Sequence, residues 1–172
     1  MDETGRRQPP PKPAPERSGG RLDRLPRVFH RHGAFRRSRM RDRRPRDASP
    51  AQAEYLDFIE TLRHRLNREL YLGLNGFEGH YATYGPGARY ARHLDRFRDD
   101  DARVVSCILY LNPDWQEDDG GQLRLETGAG THVEVMPEAG TLATFLSDRF
   151  WHEVLPSRRL RRSVTGWLLR RP

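Results

Sequence analysis

RVVSCILYLNPDWQEDDGGQLRLETGAGTHVEVMPEAGTLATFL, residues 103–146, decides the fold. Short runs rich in Val, Ile, Leu, Thr and Tyr are each ended by a cluster of Gly, Pro, Asn or Asp, the residues that close turns. Runs of this length and composition read as strands near 103–111, 122–126, 131–135 and 140–146. The pattern continues outward in both directions, to 88–93 and 78–84 on one side and to 152–156 and 161–169 on the other. Eight short strands in about 90 residues predict a mainly β fold, a sandwich or jelly roll.

Upstream of Gly73 the period is 3.6 rather than 2. Ser49-Pro50-Ala51-Gln52 supplies an N-cap serine, a proline at the first helical position and a glutamine three residues after the cap. Tyr55, Ile59, Leu62, Leu66 and Leu70 then recur at three- and four-residue intervals. One supporting helix from about Pro50 to Leu70, with an apolar face for a sheet, is expected.

Order is expected to begin at Ser49, because residues 1–48 have a different composition. They hold seven of the 13 prolines, and QPPPKPAP is followed by the arginine clusters of RHGAFRRSRMRDRRPR. Such a segment buries too little apolar surface to offset its ordering entropy and reads as a disordered basic arm. Residues 1–50 carry a net +9 and residues 51–172 a net −2, so the positive balance lies wholly in the arm. A nucleic-acid partner is therefore open only to residues 1–48. Residues 49–172 are one domain, of a size for a single core.

The single cysteine, Cys107, lies in an apolar run, reads as a small buried hydrophobe and fits a reducing cytoplasm. No stretch reaches 18 apolar residues and the start lacks a signal-peptide pattern, so neither membrane nor export is expected.

The chemistry sits at strand ends. His93-Leu94-Asp95 places two metal-capable side chains two residues apart, and His152 follows 57 residues beyond Asp95 at the start of another strand. Two imidazoles and one carboxylate on one face of an iron(II) ion leave three positions open, the arrangement of non-haem oxygenases. Those positions suit a bidentate 2-oxo acid and dioxygen. The far carboxylate of such a co-substrate needs a fixed cation, and a guanidinium can grip it with two parallel hydrogen bonds. Arg161 and Arg162 compete for that place. Alternation puts Arg161 with Ser163, Thr165 and Trp167, a set that suits a polar cavity, and Arg162 with Val164, Gly166 and Leu168, a set that suits packing. Arg161 is the choice.

From about Phe77 to Leu169 the sequence resembles the Egl-nine or SM-20 type prolyl 4-hydroxylases within the 2-oxoglutarate oxygenases. The resemblance is carried by YGPGARYARHLD, RVVSCILYLNPDW, GGQLRL, FLSDR followed by HEVLP, and RRSVTGW. It implies a double-stranded β-helix, a jelly-roll variant. It also implies a catalytic triad of His93, Asp95 and His152 on Fe(II), with 2-oxoglutarate and dioxygen as co-substrates and ascorbate as reductant. Tyr110 is implied to donate to the distal carboxylate beside Arg161, and Tyr84 to lie near the metal end of the co-substrate. Leu123 and Trp167 resemble pocket-lining residues, and Thr165 one that faces the co-substrate. The implied reaction is hydroxylation of a C–H bond, on a prolyl residue of a protein or peptide. The family has further helix and strand ahead of the helix at Ser49, and residues 1–48 read as neither.

Three other readings stand beside this one: a hydroxylase of a free amino acid or other small metabolite, a nucleic-acid-binding protein working through its arm, and a cupin-like metal-binding jelly roll. The carboxylate clamp of Tyr110 and Arg161 argues against the last. His30, His32, His64 and His132 read as surface residues, and His80 as either cavity mouth or cross-strand partner. The Asp99-Asp100-Asp101 run reads as a solvated loop, because three consecutive carboxylates cannot all face one ion.

Overall fold

The computed structural model describes the backbone of residues 29–37, and residues 48–96 and 102–170 in full. These form one helix, α1 (Pro50–Leu70), and nine strands: β1 (Phe29–Arg37), β2 (Gly76–Tyr84), β3 (Tyr90–His93), β4 (Arg103–Tyr110), β5 (Leu123–Gly128), β6 (Thr131–Val135), β7 (Leu142–Leu146), β8 (His152–Val154) and β9 (Arg161–Leu169). The larger sheet runs β1-β2-β9-β4-β7 and the smaller runs β3-β8-β5-β6. From β2 onward the chain passes back and forth between two antiparallel sheets, which is the jelly roll expected from the strand count.

The start of α1 is fixed locally. The Ser49 hydroxyl accepts from the Gln52 N–H at 3.3 Å, and the Gln52 side chain accepts from the Ser49 N–H at 2.9 Å. The reciprocal pair satisfies two of the donors that every helix start leaves open. At the other end Tyr71 turns into the left-handed region with φ 54°. Asn67 then holds the returning chain, accepting from the Leu74 N–H at 2.7 Å and donating to the Leu74 carbonyl at 2.8 Å. Leu56 and Ile59 bury against Phe77, Val105, Cys107 and Leu168 of the larger sheet. The buried stripe differs from the expected one at two places. Leu56 belongs to it, whereas Leu70, in the last turn, leaves the sheet and is exposed. Cys107 is in this layer, with its thiol pushed up to about 12 by burial, as suits an inert core residue.

Gly166 in β9 shows how closely the neighbouring strand β2 packs against it. A Cβ there would lie 2.5 Å from Phe77 Cζ and 2.6 Å from the Glu78 carbonyl oxygen. Gly166→Ala should therefore destabilise the domain by about 1–3 kcal/mol through overpacking. A lowered urea midpoint with unchanged slope is the expected reading.

β1 departs from the sequence reading. Residues 29–37 lie in the segment expected to carry no order, yet they pair antiparallel with β2, from Phe29 opposite Tyr84 to Arg37 opposite Phe77. Composition measures what side chains can bury. It does not register the row of backbone donors and acceptors that an unpaired β2 edge would present to any extended segment. The rest of residues 1–48 up to Asp47 lies outside the described residues, and with it the readings of disorder and nucleic-acid binding. The acidic run Asp99–Asp101 is outside them too.

The inner faces of the two sheets supply a second apolar layer. Ala82, Ile108, Tyr110, Ala143 and Phe145 of the larger sheet meet Leu123 and Val154 of the smaller. The same faces enclose a cavity of about 530 Å³.

Candidate active site

β3 and β8 pair antiparallel, and their register sets His93 directly opposite His152, with ring centroids 4.2 Å apart. Each ring is oriented by its own backbone. His93 Nδ1 lies 2.8 Å from the Ala91 carbonyl and His152 Nδ1 lies 3.0 Å from the Phe150 carbonyl. A carbonyl can only accept, so each Nδ1 carries a hydrogen and each Nε2 is the nitrogen turned to the cavity. Both Nε2 atoms face one carboxylate: His93 Nε2 is 3.5 Å from Asp95 Oδ1 and His152 Nε2 is 3.5 Å from Asp95 Oδ2. One ligand atom from each of the three residues lies within 4.8 Å of the others. Such a set, with its second nitrogens already tied, could hold a divalent ion.

Asp95 is 8% exposed. Burial is the largest single influence on its carboxyl and pushes the pKa up. It is outweighed by the combined pull of His93, His152, the Ser106 hydroxyl and Trp167, which brings the value down to about 2. The carboxylate is thus charged at neutral pH. Burial holds His152 below the ordinary histidine value, against the opposing charge of Asp95, so its imidazole is neutral and available as a ligand.

Across the cavity, Arg161 is 1% exposed at the start of β9. Three features place it. Asn112, itself buried, accepts from the Arg162 N–H at 2.6 Å and donates to the Arg162 carbonyl at 3.0 Å, which fixes the strand register one residue away. The Gly121 carbonyl accepts from Arg161 Nε at 2.8 Å. Gly121 has φ +70°, and a Cβ there would come within 3.1 Å of Arg161 Cδ, so glycine suits the position on both counts. The guanidinium lies between two phenol rings, 5.0 Å from the Tyr84 centroid and 4.9 Å from that of Tyr110. Burial pushes both phenols up to about 12, against the opposing pull of Arg161, so both keep their hydrogens.

Two donors here are left over. Arg161 Nη2 and the Tyr110 hydroxyl are buried with no hydrogen-bond partner among the described residues. A buried unpartnered donor costs about 1–3 kcal/mol, and more when it is charged. Neighbouring donors of this kind, one cationic, fit an anionic group with two acceptor oxygens.

Of the residues singled out by sequence, Tyr84, His93, Asp95, Leu123, His152, Arg161, Thr165 and Trp167 line the one cavity, and Tyr110 lies behind Arg161. Arg162 points out of the sheet and is exposed. His80 joins the lining, 5% exposed and tilted against the Trp167 ring. His64 and His132 are on the surface, near Glu60 and Glu134. The sequence reading missed Asn112, Gly121, Ser106 and Arg103. Arg103 lines the cavity, stacks 3.7 Å over Trp167, pairs with Glu78 and reaches the Asp95 carbonyl at 3.4 Å. Asn112 and Gly121 lie inside the quoted strings YLNPDW and GGQLRL, which is the one local signal they gave.

The model of the 2OG-Fe(II) oxygenase superfamily matches residues 79–169, which span both histidines, Asp95 and Arg161. The chain belongs to that superfamily. A prolyl-4-hydroxylase from Pseudomonas putida is similar at 52% identity with a TM-score of 0.71, over 75% of this chain and 70% of that one. A prolyl hydroxylase from Trichoplax adhaerens, solved with a peptide fragment of hypoxia inducible factor, is 33% identical with a TM-score of 0.63, over 69% of this chain and 56% of that one. Egl nine homolog 1 of Rattus norvegicus is 40% identical over 86 residues, which are 48% of this chain and 25% of that protein. The chain thus spans about a quarter of the length of the first of its curated relatives. Membership of the 2OG-Fe(II) oxygenases implies iron(II) and 2-oxoglutarate. The residues there fit both: two imidazoles and a charged carboxylate for the ion, and the Arg161 guanidinium, with the Tyr110 hydroxyl beside it, for the distal carboxylate of the co-substrate. No helix among the described residues is long and apolar enough to cross a membrane.

Proposed function

We propose that this chain hydroxylates a C–H bond of a prolyl residue in a protein or peptide as a 2-oxoglutarate-dependent dioxygenase. The observation that carries the proposal is the meeting, in one cavity, of the His93-Asp95-His152 set with the buried Arg161 guanidinium, beside which the Tyr110 ring packs. His93, Asp95 and His152 would hold iron(II). Arg161 and Tyr110 would take the distal carboxylate of 2-oxoglutarate, with Thr165 facing the co-substrate and Tyr84 toward the metal end. Iron(II) with 2-oxoglutarate supplies the oxidising chemistry, in which the substrate C–H bond and dioxygen give an alcohol while 2-oxoglutarate becomes succinate and carbon dioxide.

The protein's share is binding, orientation and exclusion of water. The Gly121 carbonyl and the two phenol rings hold the Arg161 guanidinium in place, so the clamp is present before the co-substrate arrives. Leu123, Ile108 and Val154 make an apolar wall beside it, which strengthens that ion pair by keeping water out. Arg103, held by Glu78 and Trp167, fixes the wall next to Asp95. Ascorbate is the reductant assigned to keep iron ferrous, and a reducing cytoplasm suits both the ion and the free thiol of Cys107. The prolyl substrate rests on the likeness to the prolyl hydroxylases named above.

Purified protein with iron(II), ascorbate and labelled 2-oxoglutarate, followed by NMR, should form succinate faster when a proline-containing peptide is present. The peptide should gain one oxygen on its proline by mass spectrometry. Stimulation by free amino acids with no peptide response would move the substrate to small metabolites, and no succinate under any condition would remove the enzymatic reading.

A further inference from the structure

The string FLSDR, residues 145–149, runs from the end of β7 into the following turn and contributes no side chain to the cavity lining, yet it touches the metal-ligand segment at several points. The Ser147 N–H donates to the Val104 carbonyl at 3.0 Å, and the Ser147 carbonyl accepts from the Arg96 N–H at 3.3 Å, one residue past Asp95. The neighbouring Asp148 pairs with the Arg96 side chain at 2.9 Å. The Ser147 hydroxyl, on a residue with no exposure at all, lies 2.9 Å from the Ser106 hydroxyl, which in turn lies 2.6 Å from Asp95 Oδ2.

The direction of this chain of hydroxyls follows from chemistry. A carboxylate only accepts, so Ser106 spends its single hydrogen on Asp95 Oδ2. Ser106 then has only a lone pair left for Ser147, and Ser147 must be the donor between them. Each bond polarises the next in a buried, low-dielectric site. Oδ2 is engaged and turned toward β4, and Oδ1 keeps more of its lone-pair capacity for the cavity.

We propose that Ser147 is a positioning residue for the metal-binding carboxylate, acting on Asp95 only through Ser106. The inference rests on the reading of Asp95 as a metal ligand. It assigns to the FLSDR segment a part in orienting Asp95, and makes the effect of Ser147 wholly dependent on Ser106.

Mn(II) binding to the full chain, measured by titration calorimetry without turnover, tests it. Ser106→Ala should weaken Mn(II) about 10- to 100-fold, the range for losing a partner behind a ligand. Ser147→Ala should weaken it by a smaller factor, about 3- to 10-fold. Ser147→Cys fills the same space with a poor donor and should behave like the alanine, which keeps the test available if the alanine variant folds badly. In the Ser106→Ala background the Ser147 substitutions should have no further effect, and Ser106→Thr should restore both the affinity and the sensitivity to Ser147. A purely structural role for Ser147 would instead weaken Mn(II) equally in both backgrounds, and that result, or wild-type affinity in the Ser147 variants, overturns the proposal. Failure of the unmodified chain to bind Mn(II) would overturn the metal-site reading itself.

Discussion

Arg161→Ala should raise the apparent KM for 2-oxoglutarate by two to three orders of magnitude while leaving Mn(II) affinity near that of the unmodified chain. The guanidinium is 1% exposed, and among the described residues no carboxylate pairs with it. Truncating it would leave the bound distal carboxylate as a desolvated anion without its partner, a loss of about 3–5 kcal/mol, less if water enters the vacated space. The variant also removes a buried charge that no carboxylate neutralises in the free protein, at the loss of its bond to the Gly121 carbonyl, so the thermal midpoint should change little. Arg162→Ala is the internal control. That side chain is exposed, and Asn112 clips only the backbone of residue 162, so the register of β9 should survive. Steady-state succinate formation against 2-oxoglutarate, with Mn(II) calorimetry alongside, measures both halves. Equal effects from the two arginines, or an unchanged KM in Arg161→Ala, would remove Arg161 as the carboxylate clamp.

Asp95→Ala should abolish turnover and metal binding but leave the fold standing. The carboxylate lies between two Nε2 atoms, each 3.5 Å from one of its oxygens, and its loss leaves the two imidazoles without the charge that draws a cation to them. The metal-free domain should tolerate the change, because its two apolar layers do not include this residue. The hydrogen bond from Arg103 goes to the backbone carbonyl and remains, which keeps the loop in place. His152→Ala should act in the same direction. The decisive measurement is the thermal midpoint with and without Mn(II). A ligand at 100 times its Kd stabilises by about 2.7 kcal/mol, so the unmodified chain should show a clear upward shift and Asp95→Ala none. Wild-type succinate formation in either variant would exclude these residues as the metal site.

Several parts of this protein are legible one segment at a time. Ser49, Pro50 and Gln52 announce the helix start because a capping box closes within four residues, and the structure begins α1 at Pro50. Eight strands follow from period-2 runs between turn formers, each found within a few residues of its expected place. Alternation along RRSVTGW separates Arg161 from Arg162, because successive strand residues face opposite sides whatever lies around them. The spacing of His93, Asp95 and His152 points to a ligand set through the chemistry of its side chains, before any partner is seen.

Other features exist only once distant segments meet. The Ser106 and Ser147 hydroxyls are 41 residues apart in sequence, Arg161 and the Gly121 carbonyl 40, and Asn112 and Arg162 50. A serine in a strand looks the same whether it faces water or a carboxylate, so no local period distinguishes Ser106. The pairing of β1 is of the same kind, since a Pro- and Arg-rich segment gains its strand from the open edge of β2 and not from its own composition. The helix, the strands and the candidate ligand side chains were legible in the sequence, because caps, periods and donor types act over a few residues. Tertiary structure alone decided which groups hold Asp95 and Arg161 in place, because hydrogen bonds between far-separated residues form only after the two sheets have closed on each other.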